Sequence, residues 1–356
     1  MACYAAASGS GGASGMGSPP DLSALNKLDL SSAMLLANLM GGPGQQQFRP
    51  PGSSSSTMPG ADGEDEAAAA DVPLTVPDFV QALECIVRSN SSEVNPEQLG
   101  EVLDEVLTRN LLAEFTPQQL AATFKNLSLI CSGMPEELTA ALADQAAAKM
   151  TSFDVPQLAN IGWALMRMAP VADAEARQCC GLSDGWVQSY SAACEQQLAL
   201  IVEQQQQQQP RVPLPTGQQL ANLLLVPAAV QQPFSAQGVQ LFEQAVLLAE
   251  RRLCSMAVAQ LLTCYVRLQL QPQQALLSLL LRHVEEDLQL YDHDMITQVA
   301  AAGAALQLRL PNSLLADMTE RAAMLQASQQ ADPYDVQLLQ AAMDRLARAA
   351  VAAAAV

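Results

Sequence analysis

Side chains that can donate and accept hydrogen bonds recur at one position of a repeated phrase. The phrase is a capping residue followed by Gln-Leu and an apolar stretch, and it is clearest at Thr116–Ala122, Asp154–Asn160 and Thr216–Asn222. Two residues after the leucine position, most copies carry an amide or a hydroxyl group: Asn160, Asn222, Thr263 and Gln298. Such a row has the chemistry of a ligand-binding surface. The same residue types are also common as solvated helix positions, so both interpretations stay open.

Basic side chains and one tryptophan accompany this row. The basic residues lie near the ends of the same predicted helices: Lys125, Arg167, Arg267 and Arg345. They could contact phosphate groups, but a cation at a helix C-terminus also complements the helix dipole. Trp163 could stack on a planar ligand or pack in the core. These residues complete the set of candidate binding residues.

The sequence contains no pattern typical of an enzyme or a metal site. It has no phosphate-binding glycine loop, no nucleophile elbow and no Cys-x-x-Cys motif. His283 stands beside Glu285–Asp287, a group that we interpret as a solvated acidic face. The adjacent Cys179 and Cys180 could be redox-active, although packing at a loop edge is the simpler interpretation. We therefore expect no catalysis, no cofactor and no metal.

Helices must position the candidate residues, and the phrase sets their period. Taking the leucine of each copy as a reference, the equivalent positions are Val80, Leu120, Leu158, Leu220, Leu261, Ile296 and Leu339. Most neighbouring positions are about 38 residues apart, which suits two helices and two short turns. Asp154 is expected to cap one of these helices and Gln157 to return the hydrogen bond. A repeated helical pair predicts an extended binding surface.

Composition agrees with an all-α fold but raises a difficulty about partners. Of 356 residues, 50% are hydrophobic and 4% aromatic, and Ala, Leu and Gln are abundant, which favours helices. The predicted fold is a right-handed α-solenoid of about six to seven degenerate helical pairs. The formal net charge of −19 opposes non-specific binding to nucleic acid. It also makes an acidic scaffold for protein partners an alternative.

The order of segments follows from shifts in composition. Residues 1–72 are predicted to be mostly disordered, with a short helix at 21–40 and a weak targeting segment at the start. Repeats are expected at 73–170 and 216–348. Between them, 171–215 is predicted to be an insertion with a Gln-rich and Pro-rich loop, and 349–356 an Ala-rich tail. No run of apolar residues is long enough for a membrane span.

One stretch resembles a known family of helical repeats. Phe153–Leu165 resembles the signature helix of octotricopeptide-repeat proteins, which are similar to the leucine-rich helical repeats of FAST-kinase-domain proteins. Glu114–Leu120 matches the first half of this signature and Gln219–Asn222 its middle. The resemblance extends over about residues 75–347. The RAP domain that many relatives carry at the C-terminus is not recognisable here.

The resemblance implies that the protein binds organellar RNA. Members of the family act in transcript stability, processing or translation, so single-stranded RNA is the expected partner and a chloroplast or mitochondrion the expected location. In that setting the polar row would read bases and the basic residues would contact phosphates. The alternative function is an acidic α-solenoid scaffold for protein–protein interaction, and the alternative location is the cytoplasm. Neither DNA nor a membrane is expected as a partner.

Overall fold

The computed structural model describes residues 74–89, 96–130, 135–168, 174–207, 213–327 and 333–354. Within these ranges the chain is all-helical and contains no strand, which confirms the all-α part of the predicted fold. None of the helices in this part is both long and apolar enough to cross a membrane. The helix predicted at 21–40 and the targeting segment lie outside the described residues.

The chain divides into two compact units, Met1–Ser132 (unit 1) and Gly133–Val356 (unit 2). Unit 1 contains α1 (Val76–Ser89), α2 (Pro96–Thr108) and α3 (Pro117–Ile130). Helix α1 packs against α3 and against a short 3-10 helix that joins α2 to α3. Aromatic side chains contribute to this contact, because the ring centroids of Phe79 and Phe115 lie 6.1 Å apart. Both rings are buried.

The helices of unit 2 fall into two groups, distinguished by their contacts, that alternate along most of the chain. Its helices are α4 (Glu136–Ala148), α5 (Val155–Met168), α6 (Ala174–Cys179), α7 (Asp184–Gln206), α8 (Gly217–Leu223), α9 (Leu225–Val230), α10 (Ala236–Leu248), α11 (Ser255–Arg267), α12 (Gln274–Glu286), α13 (His293–Ala305), α14 (Asn312–Ala327) and α15 (Pro333–Ala354).

Contacts between these helices form two rows. The first-helix row consists of α4, α7, α10 and α12, each in contact with the next. The second-helix row consists of α5, α8 with α9, α11, α13 and α15, again in chain order. Helix α14 contacts α13 and α15. From α8 onwards, successive helices of the second-helix row (α8, α11, α13 and α15) begin 38 to 40 residues apart, which is about one repeat.

Capping boxes begin the helices that carry the Gln-Leu phrase. The amide of Gln157 donates to Asp154 Oδ1 at 2.9 Å, and the amide of Asp154 donates to Gln157 Oε1 at 3.1 Å. Thr116 and Thr216 form the same pair of bonds with the glutamine three residues later. These bonds satisfy two backbone groups that a helix start leaves without partners. The predicted role of the glutamine as a cap is confirmed.

The range 171–215, predicted to be an insertion with a Gln-rich and Pro-rich loop, contains a long helix. Residues 184–206 form α7, which runs into the glutamine tract and belongs to the first-helix row. Its buried side chains include Trp186, Tyr190, Leu198 and Ile201, and Ser183 caps its start. Apolar residues at helical spacing and a glutamine tract with good helix propensity favour a long helix over a loop. Residues 349–354, predicted to be part of an Ala-rich tail, continue α15.

Gly162 allows two helices of the second-helix row to approach closely. A Cβ atom at Gly162 would meet the hydroxyl of Tyr190 and would lie 3.0 Å from the backbone oxygen of Asn222. The Tyr190 hydroxyl donates to the Leu158 carbonyl at 3.1 Å, so it is held in place. Helix α5 therefore packs directly on the backbone of α8, next to two of the predicted binding positions.

Candidate functional site

Acidic residues are distributed unequally between the two rows of unit 2. Helices α5, α8, α9 and α11 of the second-helix row contain no Asp or Glu, and their charged residues are Arg167 and Arg267. The first-helix row carries most of the carboxylates: Glu136, Glu137, Asp144, Asp184, Glu195, Glu203, Glu243, Glu285 and Glu286. Asp294, Asp335 and Asp344 fall in α13 and α15, beyond the acid-free part. We name α5, α8, α9 and α11 the acid-free helices.

The structure joins one predicted residue, Asn222, to two glutamines in a cluster of amides. Gln218 Nε2 donates to Asn222 Oδ1 at 2.9 Å and to Gln260 Oε1 at 2.8 Å. Gln260 Nε2 donates to Asn222 Oδ1 at 3.0 Å. The cluster links α8 to α11 and is half-buried. Because Asn222 Oδ1 already accepts two bonds, its amide nitrogen is the group left to donate to a ligand.

The sequence pattern did not identify Gln218 or Gln260 as candidate binding residues, although the repeat that contains Gln260 departs from the pattern. Gln260 stands where Gln119, Gln157 and Gln219 close a capping box, but Ala257 replaces the capping residue in its repeat. Helix α11 instead begins at Ser255, and no side chain caps that start. Gln260 therefore lies within the helix, and its amide is used for contact with α8.

The other members of the polar row differ in their surroundings. Asn160 is half-buried, and its side chain forms no hydrogen bond within the described part of the chain. The Thr263 hydroxyl donates to the Ala259 carbonyl at 2.9 Å, so its donor is used within α11. Gln298 is exposed on α13. These three residues lie on different members of the second-helix row, and no hydrogen bond joins them in the described part of the chain.

Trp163 and Arg167 form a cation–π pair on α5. The guanidinium carbon of Arg167 lies 5.0 Å from the centre of the Trp163 ring. Trp163 is half-buried and Arg167 is exposed. One face of the indole is therefore covered by a cation, which would have to move before a planar ligand could stack on that face.

The remaining basic candidates are spread over both units. Arg267 is half-buried at the end of α11, and Arg345 is exposed on α15. Lys125 is exposed on α3, in unit 1. Burial raises the pKa of the Cys264 thiol to about 12, and the nearby charge of Arg267 lowers it by a smaller amount. Arg267 therefore lies close enough to act on a buried group of the same helix.

Glu243 and His283 lie between the rows and have partners within the fold, although Oε2 of Glu243 is buried without one. Glu243 is 2% exposed and its Oε1 accepts bonds of 3.0 Å from the Tyr265 hydroxyl and the Gln273 amide. Burial, followed by the Glu243 carboxylate, raises the pKa of Tyr265. His283 contacts Tyr291 and Asp287, at 3.3 Å and 3.5 Å. No group of three or more His, Cys, Asp or Glu suited to a metal ion occurs among the described residues.

All cysteines in the described ranges are free thiols. Cys85, Cys180, Cys194 and Cys264 are buried, whereas Cys179 and Cys254 are exposed. Comparison with models of known protein families gave no match, and comparison with curated proteins gave no significant relative.

Proposed function

We propose that this chain is a helical-repeat factor that captures single-stranded RNA on the acid-free helices and performs no bond chemistry. In this proposal unit 2 is a right-handed α-solenoid of helical pairs. The protein acts in transcript stability, processing or translation within a chloroplast or mitochondrion. The repeated capping boxes and the two rows of contacts support this architecture.

The separation of charge between the two rows carries the proposal. A net charge of −19 opposes binding to phosphate if the acidic residues surround the site. Screening limits the reach of an exposed charge to about 8 Å at physiological salt, so the charges beside the site matter most. Phosphates near Arg167 and Arg267 would meet no carboxylate on the helices that carry these arginines.

The amide groups on the same helices supply the contacts to bases. Single-stranded RNA is read through unstacked bases that stack on planar side chains and form hydrogen bonds along their edges. Asn222 offers N–H groups because its oxygen is occupied by Gln218 and Gln260. Asn160 offers both its oxygen and its nitrogen. The Trp163–Arg167 pair adds a planar cation next to Asn160 in the sequence.

A pair of substitutions tests the site at low salt. Replacing Arg167 and Arg267 with alanine removes both cations of the acid-free helices. We expect the affinity for a labelled single-stranded RNA to fall at least fivefold, which is about 1 kcal/mol or more of binding free energy. Arg251→Ala is the matched control, because Arg251 is exposed but precedes the start of α11. Equal losses in the two variants, measured by fluorescence anisotropy, would argue against this site.

A protein-binding scaffold is the second candidate, supported by an exposed apolar patch. Met256 and Leu290 are 56% and 62% exposed. Their segments are neighbours, because the Ser255 hydroxyl donates to the Leu290 carbonyl at 3.5 Å. Large exposed apolar side chains on neighbouring segments are a feature of protein interfaces. Under this candidate, Met256→Ser with Leu290→Ser abolishes retention of a protein from an organellar extract, and RNA does not bind.

A further inference from the structure

The amide cluster of Gln218, Asn222 and Gln260 has a defined polarity. Gln218 Nε2 donates to Gln260 Oε1 and to Asn222 Oδ1, and Gln260 Nε2 donates to the same Asn222 oxygen. At the other end of the network, the Cys254 thiol donates to Gln218 Oε1 at 3.8 Å. Each amide oxygen therefore accepts a bond within the cluster. Turning the Asn222 amide alone would set its N–H groups against those of both glutamines and break two bonds.

Asn222 consequently presents a donor and not an acceptor. Its oxygen accepts two bonds, which fill both lone pairs, whereas its nitrogen donates none within the described part of the chain. The side chain is half-buried and its nitrogen is not enclosed by the protein, so a ligand can reach this atom from solvent. No Asp or Glu on the acid-free helices competes for these N–H groups.

Helix α5 brings a planar group to the same part of the surface. It packs on Asn222 at Gly162, where an added Cβ atom would lie 3.0 Å from the Asn222 backbone oxygen. The next residue of α5 is Trp163, which carries the Arg167 guanidinium over its ring. The helix that packs on Asn222 thus carries a planar cationic pair, and bases stack on groups of this type.

The outermost atom of a pyrimidine base distinguishes uracil from cytosine. The C4 atom of the ring lies opposite the bond to the sugar, so its substituent leads when a base points from the backbone towards the helices. Uracil carries a carbonyl oxygen there, which accepts hydrogen bonds, and cytosine carries an amino group, which donates them. Guanine and adenine differ in the same way at C6. An amide that offers only N–H groups bonds to the carbonyl and opposes the amino group.

From this polarity we propose that Asn222 selects a keto base, uracil or guanine, over an amino base. The inference rests on the RNA capture proposed above and adds which bases the acid-free helices prefer. Asn222 Nδ2 donates to uracil O4 or guanine O6, while Gln218 and Gln260 keep the Asn222 oxygen occupied. An asparagine with a free oxygen pairs with adenine through both of its groups. The two glutamines are therefore positioning residues for the selectivity.

Oligouridine and oligocytidine of equal length test the selectivity on the full chain. Both carry the same phosphates and sugars, so the contributions of Arg167 and Arg267 cancel in the ratio of the two affinities. Fluorescence anisotropy at low salt should show oligouridine binding about fivefold more tightly, which is the effect of one hydrogen bond. Equal affinities, or a preference for oligocytidine, overturn the selectivity and leave RNA capture intact. Failure of both oligonucleotides to bind overturns RNA capture and the selectivity with it.

Substitution of Asn222 should reverse the preference. Asn222→Asp replaces the donor with an acceptor of the same shape, so the ratio should move in favour of oligocytidine, because carboxylates accept from the cytosine amino group. The added negative charge weakens the binding of both oligonucleotides and cancels in the ratio. Gln240→Glu is the matched control, since it makes the same exchange of amide for carboxylate at an exposed position of α10 and should leave the ratio unchanged.

A second variant tests the role of the two glutamines. Gln218→Met combined with Gln260→Met frees the Asn222 oxygen, which lets the amide accept as well as donate, so the ratio of affinities should fall close to one. Circular dichroism checks that each variant keeps its helices. A preference for oligouridine that stays at the wild-type value in the folded Asn222→Asp chain, or in the chain without the glutamines, overturns the proposal.

Discussion

At the scale of single residues, two buried thiols make the free energy of unfolding fall as the pH becomes alkaline. Burial raises the pKa of Cys264 from 9.0 to about 12, and burial also raises the pKa of Cys194. The folded state therefore holds these protons more tightly than the unfolded state does. Their contribution to stability is complete below about pH 9 and is lost as the pH rises towards the folded pKa values, by about 1.4 kcal/mol per group and pH unit.

Urea unfolding at about pH 8 and about pH 10.5 checks this prediction. The midpoint should fall with pH in the wild type and should fall less steeply in a Cys194→Ala, Cys264→Ala variant. The alanine variant starts from a lower stability because two buried side chains are shortened, so the slope with pH is the quantity to compare. A wild-type midpoint that does not change over this range would contradict the assignment.

Local residue roles could be predicted from the sequence, whereas contacts distant in the chain were missed. The bonds between Asp154 and Gln157 connect residues three apart, so the phrase itself contains both partners. Gln218 and Gln260 are 42 residues apart, and their bond depends on how α8 lies beside α11. Asn222 was therefore found as a candidate, but the two glutamines that occupy its oxygen were not.

At the scale of elements, the close approach of α5 to α8 predicts that one methyl group added at Gly162 lowers the stability of the protein. Gly162→Ala would press a Cβ atom against the Tyr190 hydroxyl and the Asn222 backbone. Overpacking of this kind costs about 1–3 kcal/mol, which exceeds the gain of about 1 kcal/mol in helix propensity. We expect a lower free energy of unfolding in a urea titration.

A second substitution and a control identify the cause. Tyr190→Phe removes the hydroxyl that the new methyl group would meet, so Gly162→Ala should cost less in the Tyr190→Phe background than in the wild type. Gly100→Ala in α2 is the matched control, because no atom of another element lies within 4 Å of the methyl group that this substitution adds, and a gain in stability is expected. The packing account is wrong if the two glycine substitutions have equal effects.

Element boundaries show where composition misleads. Proline and glutamine around α7 suggested a loop, but burial of Trp186, Tyr190 and Leu198 stabilises a helix of 23 residues there. Pro227, in contrast, lies in the first turn of α9, since α8 ends at Leu223 and α9 begins at Leu225. A proline acts on its own turn, whereas a glutamine tract adopts the structure that its neighbours stabilise.

At the scale of the whole molecule, total charge is a poor guide to partners. The value of −19 counts every acidic residue, including those outside the described ranges. It does not tell which residues share a helix with Arg167 and Arg267. Only the alternation of helices between two rows shows that the carboxylates of the repeats fall mainly on one of them.

The most direct test of RNA capture is the binding of the wild-type chain to a mixed-sequence single-stranded RNA at about 50 mM and about 200 mM salt. Fluorescence anisotropy should detect a complex at the lower salt. Two phosphate contacts, one each from Arg167 and Arg267, predict an affinity about five- to tenfold weaker at the higher salt. Absence of binding at the lower salt by a chain with intact helical circular dichroism, or an affinity that salt does not change, would contradict the account.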